Sequence, residues 1–281
     1  MTSLEHLVGR RYGPIELEAD GSRVAAFVAA TGDDPERWAG HAPPLFANAA
    51  LFAAAPLFLE DPEVVPFTRS LIHSEQRFEW DRSLPRGESL EVSGVVESVR
   101  ARGALHLVGF ALEAGDWLRG RSMFLLSDQP AAAAADSAEP GVTDRAEVGE
   151  TSLVALPTAG QSLTPVGVSA SRLDLVHYAA ASGDFNPIHW DHAAAREAGL
   201  EGTIVHGLLM AAWFGRVACR HSVGVDPLRS LRVRFRSPLR PAASALVTGE
   251  VGVVGDSTAE LTLALAVAGT TIATGSARVT R

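Results

Sequence analysis

The chain says nearly the same thing twice. "VAAFVAATGDDP", residues 24–35, is an apolar helical run ending in a Gly-Asp turn, and "LVHYAAASGDFNP", residues 175–187, repeats it. Asp33 and Asp184 stand 151 positions apart. After each turn the sequence predicts a second apolar helix, over 45–59 in one half and 207–219 in the other. An alternating strand follows, "SEQRFEW" at 74–80 and "LRVRFRSP" at 231–238, with Phe78 and Phe235 157 positions apart. Each half then closes on period-two runs separated by Gly turns: "SLEVSGVVESV", "ALHLVGFALEAG" and "WLRGRSMFLL", then "ALVTGEVGVV", "AELTLALAVAG" and "TIATGSARVT". Such runs are antiparallel strands. A repeat this long is the duplication of a whole domain, since solenoid repeats run ~20–50 residues.

The helices decide how each half is built. "GLLMAAWFGRVAC" is apolar on nearly every face, so it cannot lie on a surface and must be wrapped by sheet. Each half is therefore α+β, a sheet curled round one helix. Between the halves, "QPAAAAADSAEPGVTDRAEVGE" lacks aromatic residues and is rich in Ala, Glu, Asp, Pro and Gly. It reads as a linker over 129–150, dividing the chain into domains at 1–128 and 151–281.

Composition removes several functions. With 281 residues and 47% hydrophobic residues the chain can bury a sizeable core. A formal net charge of −9 argues against a general nucleic-acid binder. One cysteine, Cys219, excludes an intrachain disulfide and a thiolate metal cluster, and following an apolar helix it reads as an inert buried thiol. "MTSLEHLVGRR" has no basic segment followed by an apolar one, and "FANAALFAAAPLFL" is too short for a bilayer and contains Asn48. A cytoplasmic protein without a membrane partner is the expectation.

The chemistry concentrates in "ASGDFNPIHWD", residues 181–191. Ser171 is a candidate N-cap with Asp174 three residues on, and Gly183 is a natural end for the helix between them. Asp184 to His189 is then a short turn stiffened by Pro187, which biases Asn186 away from helical backbone. Asp184 and a neutral His189 held on one stiff loop can share a water, one accepting a proton while the other donates. The plain alternative is a carboxylate that caps a turn and an imidazole that fills a gap. Downstream, His206-Gly207 precedes the buried helix. A helix start offers unpaired N–H groups, and glycine allows close approach, so the Gly207 N–H is a candidate oxyanion donor; the same glycine would also ease a tight turn.

These residues carry a resemblance. "YAAASGDFNPIHWDHAAA", followed by "TIVHGLLMAAWF" and "LRVRFRSPLRP", resembles the hydratase motif of the MaoC-like family, the (R)-specific enoyl-CoA hydratases and 3-hydroxyacyl-thioester dehydratases. The likeness covers about 165–281, and the first half is more weakly similar to the degenerate N-terminal domain of double-hot-dog members. The resemblance implies a double hot dog, two antiparallel sheets each wrapped round a central helix. It implies a hydro-lyase that reversibly adds water to a trans-2-enoyl thioester, with Asp184 and His189 as catalytic pair, Asn186 supporting the loop and the Gly207 N–H on the thioester oxygen. It implies no metal and no redox cofactor, and as partners an acyl thioester of CoA or of an acyl-carrier protein, with a homodimer as the compatible assembly.

Two departures stand out. Five positions on from Asp33 is Trp38 rather than histidine, and "APPLFAN" stands where the second half has His-Gly. One active site per chain follows. Gly215 also stands where relatives often carry a small hydroxyl residue. Among other groups, His177, His192 and His221 read as solvated, and His206 either shapes its loop or lines the site and contacts substrate. Arg232, Arg234 and Arg236 share one strand face: a solvated outer surface or, at Arg234 and Arg236, a phosphate contact for CoA or phosphopantetheine. The competing functions are a hot-dog thioesterase, for which no better-placed carboxylate is seen, and a non-catalytic acyl-thioester-binding or scaffold subunit, which the presence of His189 disfavours.

Overall fold

The computed structural model describes residues 3–129 and 152–281, so apart from Gln129 the linker region lies outside the described residues. The first half contributes strands β1 (Arg11–Glu18), β2 (His41–Ala42), β3 (Ser70–Trp80), β4 (Leu84–Pro85), β5 (Ser89–Arg102), β6 (Leu105–Ala114) and β7 (Leu118–Ser127). The second contributes β8 (Val166–Val168), β9 (Leu228–Phe235), β10 (Ala245–Val254), β11 (Thr258–Val267) and β12 (Thr270–Thr280). Helices α1 (Gly21–Thr31) and α2 (Ala47–Leu59) belong to the first half; α3 (Arg172–Ser182), α4 (His192–Glu197) and α5 (Gly207–Cys219) belong to the second.

Ten strands make one antiparallel sheet, in the order β1-β5-β6-β7-β3-β9-β12-β11-β10-β8, while β2 and β4 form a separate pair. Read outward from the β3–β9 seam, the two halves of that order mirror each other strand for strand. At the seam Gln76 faces Val233, and these two are 157 positions apart, the same offset as Phe78 and Phe235. A two-fold relation between duplicated halves must bring equivalent residues face to face at its axis, so the register itself shows an internal pseudo-dimer. The fold is the double hot dog expected from the sequence.

The seam is held mainly by burial. Phe78, Leu231 and Val233 are each about 1% exposed, and burying such side chains contributes roughly 1.5–3 kcal/mol each. Outside, Glu75 accepts from Arg232 Nε at 2.7 Å and from Arg234 Nε at 2.8 Å; exposed pairs of this kind are worth about 0–1 kcal/mol.

Each central helix sits inside its sheet. α2 packs on β1, β5 and β6, and α5 packs on β9, β10, β11 and β12. Every residue of α5 from Leu208 to Cys219 is buried, as its unbroken apolar face requires. Burial pushes the Cys219 thiol up to about 12, consistent with an inert thiol. α2 is covered less completely: Leu57 is exposed and Phe52, Ala53 and Pro56 are half-buried. His221 corrects the reading of a solvated imidazole, because it is buried at the end of α5 beneath the chain at Val154 and Ala155.

Gly215 has a steric explanation. A Cβ at this position would lie 2.0 Å from Leu45 Cδ2, on a leucine that the first half buries to 4% exposure. A side chain there would have to displace Leu45 across the packing between halves. Gly215→Ser should lower stability by about 1–3 kcal/mol through overpacking. Combining it with Leu45→Ala should cost less than the two single losses together. Urea unfolding of the three variants checks this, and strict additivity would separate the two positions.

Candidate active site

The stretch 171–191 folds as a chain of local caps. Ser171 Oγ accepts from the Asp174 N–H while the Asp174 carboxylate accepts from the Ser171 N–H, a complete capping box at the start of α3. α3 stops at Gly183, whose φ of +87° is left-handed. The next residue, Asp184, donates its N–H to Ser182 Oγ at 3.2 Å. Asn186 then caps a single 3-10 turn, Pro187–His189, its Oδ1 accepting from the Ile188 N–H. Trp190 Nε1 closes back on the Phe185 carbonyl at 3.2 Å. The loop is stiff because nearly every residue in it is a cap for another.

Asp184 and His189 are each 6% exposed, and His189 Nε2 lies 3.9 Å from Asp184 Oδ2. That is too long for a direct hydrogen bond and short enough for one water to touch both. His189 Nδ1 lies 2.9 Å from the Ile204 carbonyl. A carbonyl only accepts, so Nδ1 carries the proton and Nε2 presents its lone pair to Asp184. Burial pushes the Asp184 carboxyl up to about 7, against the Asn186 N–H that favours its charged form. Burial likewise takes His189 down to about 4. Burial thus favours the uncharged form of each, a carboxyl that gives up its proton only near neutrality and a neutral imidazole.

His206 joins them. It is fully buried, its ring stacks on His189 at 3.8 Å between centroids and 23° between planes, and its Nε2 donates to the Asp184 carbonyl at 3.3 Å. Burial, with His189 beside it, keeps it neutral. Directly after it, Gly207 begins α5. The Leu209 and Met210 N–H groups turn back to the His206 carbonyl, while the Gly207 and Leu208 amides belong to the first turn, where a helix supplies no acceptor of its own. Gly207 is partly exposed in an otherwise buried run, and the ring of Phe235 lies against it. The four residues Asp184, His189, His206 and Gly207 are therefore brought together.

Arg234 and Arg236 are not joined to them. Arg234 is exposed and bound to Glu75 across the seam, and Arg236 is exposed one residue beyond β9, its N–H donating to the Ile272 carbonyl at 2.9 Å. Two residues of the site escaped the sequence reading. Tyr178 on α3 is buried with its ring edge-on to His206 at 4.8 Å, and Asn48 of α2 donates to Tyr178 Oη at 3.0 Å. The signal for Asn48 is in the sequence, a single polar residue among thirteen apolar ones at 46–59, where it speaks against a membrane span but not for a partner.

Asp184, His189 and His206 bring ligand-type atoms within 4.8 Å of one another. A tetrahedral ion needs lone pairs that converge at about 2.0–2.1 Å from each nitrogen. Stacked rings point their in-plane lone pairs side by side, and one nitrogen of each ring already faces a carbonyl.

The duplicated turn in the first half lacks this equipment. Asp33 accepts from the Asp34 N–H at 2.8 Å, Trp38 is fully buried where a histidine would stand, and Arg216 of α5 reaches over to donate to the Gly32 carbonyl at 2.7 Å. Asp33→Asn should leave turnover within several-fold of the parent, as steady-state kinetics would show; a loss equal to that of Asp184→Asn would make the first half catalytic.

A double hot dog with one equipped half is thus the class of protein that fold and site define. The MaoC-like domain family matches residues 155–269. A mitochondrial 3-hydroxyacyl-[acyl-carrier-protein] dehydratase of Arabidopsis thaliana is 41% identical over 69 residues, 25% of this chain and 41% of that protein, so the match spans less than half of the relative's length. A UPF0336 protein of Streptomyces avermitilis is 30% identical over 110 residues, 34% of this chain and 73% of the relative. A solved structure described as a MaoC-like dehydratase has the same fold, with a TM-score of 0.80, 20% identity and 99% of both chains covered. The chain belongs to the MaoC-like dehydratase family.

Proposed function

We propose that this chain is a hydro-lyase that adds water across the double bond of a trans-2-enoyl thioester and, in reverse, dehydrates a 3-hydroxyacyl thioester. One observation carries the reading: a buried carboxyl and an imidazole nitrogen left free by the Nδ1 bond face each other 3.9 Å apart, beside the first amides of a buried helix. His189 Nε2 takes a proton from the water as its oxygen bonds to Cβ. The π pair moves towards the thioester, whose oxygen is held by the Gly207 N–H; a single donor of this kind is worth about 2.7–4 kcal/mol. The Asp184 proton then goes to Cα and the carbonyl re-forms. His189 returns its proton to Asp184 through the next water, and the pair is reset. One water is consumed and no electron changes owner, so the chemistry asks for neither a metal nor a redox cofactor.

Asn186 acts by fixing the loop, and His206 by backing the His189 ring. The carrier, CoA or an acyl-carrier protein, is part of the substrate. Among the described residues no helix is long and apolar enough to cross a membrane. The test is a panel of trans-2-enoyl-CoA substrates of rising chain length, followed by loss of the conjugated thioester absorbance, with a thiol reagent present in a parallel set. Loss of absorbance without thiol release supports the hydratase. Thiol release would make the chain a thioesterase, and inertness towards every substrate that binds would make it a binding subunit.

A further inference from the structure

Asn48 is the one polar side chain in α2, and it is fully buried. Burying an amide costs roughly 1–3 kcal/mol unless it is bonded. Both bonds that Asn48 makes reach out of its own half: Nδ2 donates to Tyr178 Oη at 3.0 Å and to the Leu208 carbonyl at 3.0 Å. Its Oδ1 meets no partner among the described residues. An apolar side chain of similar size would fill the same space without that cost, so what the amide supplies is direction. The two acceptors are well chosen. Tyr178 is the wall against which the His206 ring rests, edge-on at 4.8 Å, and His206 in turn stacks on His189. Leu208 is the neighbour of Gly207 in the first turn of α5.

We infer that Asn48 is a positioning residue for the active site, contributed by the half that has no active site of its own. It fixes the angle between the imidazole stack and the oxyanion turn by holding one support of each. The inference rests on the hydro-lyase reading and adds to it: the degenerate half takes part in setting the geometry of the reaction. Misplacement of a reacting group by about 1 Å can cost on the order of 100-fold in rate, so a residue that touches no substrate can still matter to turnover.

The test uses the full chain carrying Asn48→Leu, Tyr178→Phe, and both. The expected result for Asn48→Leu is a native melting curve, a KM for crotonyl-CoA within about three-fold of the parent, and kcat lowered about ten-fold or more. Because the two residues act as one unit, adding Tyr178→Phe should change kcat less than two-fold further. Independently of activity, the ring signals of His189 and His206 in a 15N-histidine NMR spectrum should move in Asn48→Leu, while those of His177 and His192 stay. Unmoved ring signals in a folded variant, or an unchanged kcat, would overturn the inference. If Asn48→Leu does not fold, Tyr178→Phe keeps the ring and removes the acceptor, and the same spectrum decides. If the parent hydrates no enoyl thioester, the functional reading fails on that assay while the ring signals still decide whether Asn48 orders the imidazoles.

Discussion

Asp184→Asn and His189→Ala should each abolish hydration of an enoyl thioester while leaving a folded protein, and the double variant should be no worse than either single one. The expectation follows from where the proton goes. Asp184→Asn keeps the shape of the side chain and its bond to the Asn186 N–H becomes an ordinary amide contact, but the proton destined for Cα is gone. His189→Ala removes the lone pair that faces Asp184 across 3.9 Å, so water loses its acceptor on that side. Two groups that pass one proton form a unit, and removing either breaks the whole sequence of transfers. The loss should be at least about 1,000-fold, as when a general acid or base and its partner are both disabled. Stability should change little for Asp184→Asn, because burial already favours the uncharged form of this carboxyl, which an amide matches in charge. Single-turnover kinetics with crotonyl-CoA, together with thermal melting, would check it. Near-parental turnover in either folded variant would remove the pair from the mechanism.

Much of this was legible before the structure. The repeat gave the two halves because apolar periodicity survives where identity does not, and "GLLMAAWFGRVAC" forced a wrapping sheet because it has no polar face to turn outward. The Gly183 stop, the Ser171 cap and the Asp184–His189 loop were readable because capping and turn chemistry are local. What escaped was what depends on distance through space. β1 carries Gly13-Pro14, and its register shifts between Tyr12 and Ile15, which hides the alternation. β8 is three residues long, too short to show a period. Arg234 looked free for a phosphate because its partner, Glu75, lies 159 positions away and meets it only across the seam. His221 looked solvated because nothing local says that the chain at Val154 will cover it. Leu45 over Gly215, and Asn48 behind Tyr178, are contacts between halves, and no pattern within one half announces them.

The rate should depend on pH as a bell, with its alkaline limb near neutrality, and the sign can be worked out from the two groups. Hydration starts with a proton on Asp184 and none on His189; dehydration starts with the reverse. Both states carry one proton on the pair, so the active form is the singly protonated pair in either direction. Burial raises Asp184 from 3.8 to about 7 and lowers His189 from 6.5 to about 4. Below about 4 the pair gains a second proton and His189 can no longer accept one from water. Above about 7 the pair is empty and nothing remains to give to Cα, so kcat/KM should fall about ten-fold per pH unit. Melting temperature is a poor substitute for this measurement. Between pH 3.8 and 7 the folded chain holds a proton on Asp184 that the unfolded chain has lost, so this group makes stability fall as pH rises; between 4 and 6.5 the unfolded chain holds a proton on His189 that the folded chain lacks, so this group makes stability rise. The two slopes oppose each other over most of the range, whereas the rate falls on both sides of the singly protonated pair. A kcat/KM profile from pH 4 to 10 should therefore show the alkaline limb in the parent, and any residual rate of Asp184→Asn should lack it, since asparagine does not titrate. A parental rate that stays level to pH 9 would mean that the proton reaching Cα does not come from this pair, and its role as the acid would fall.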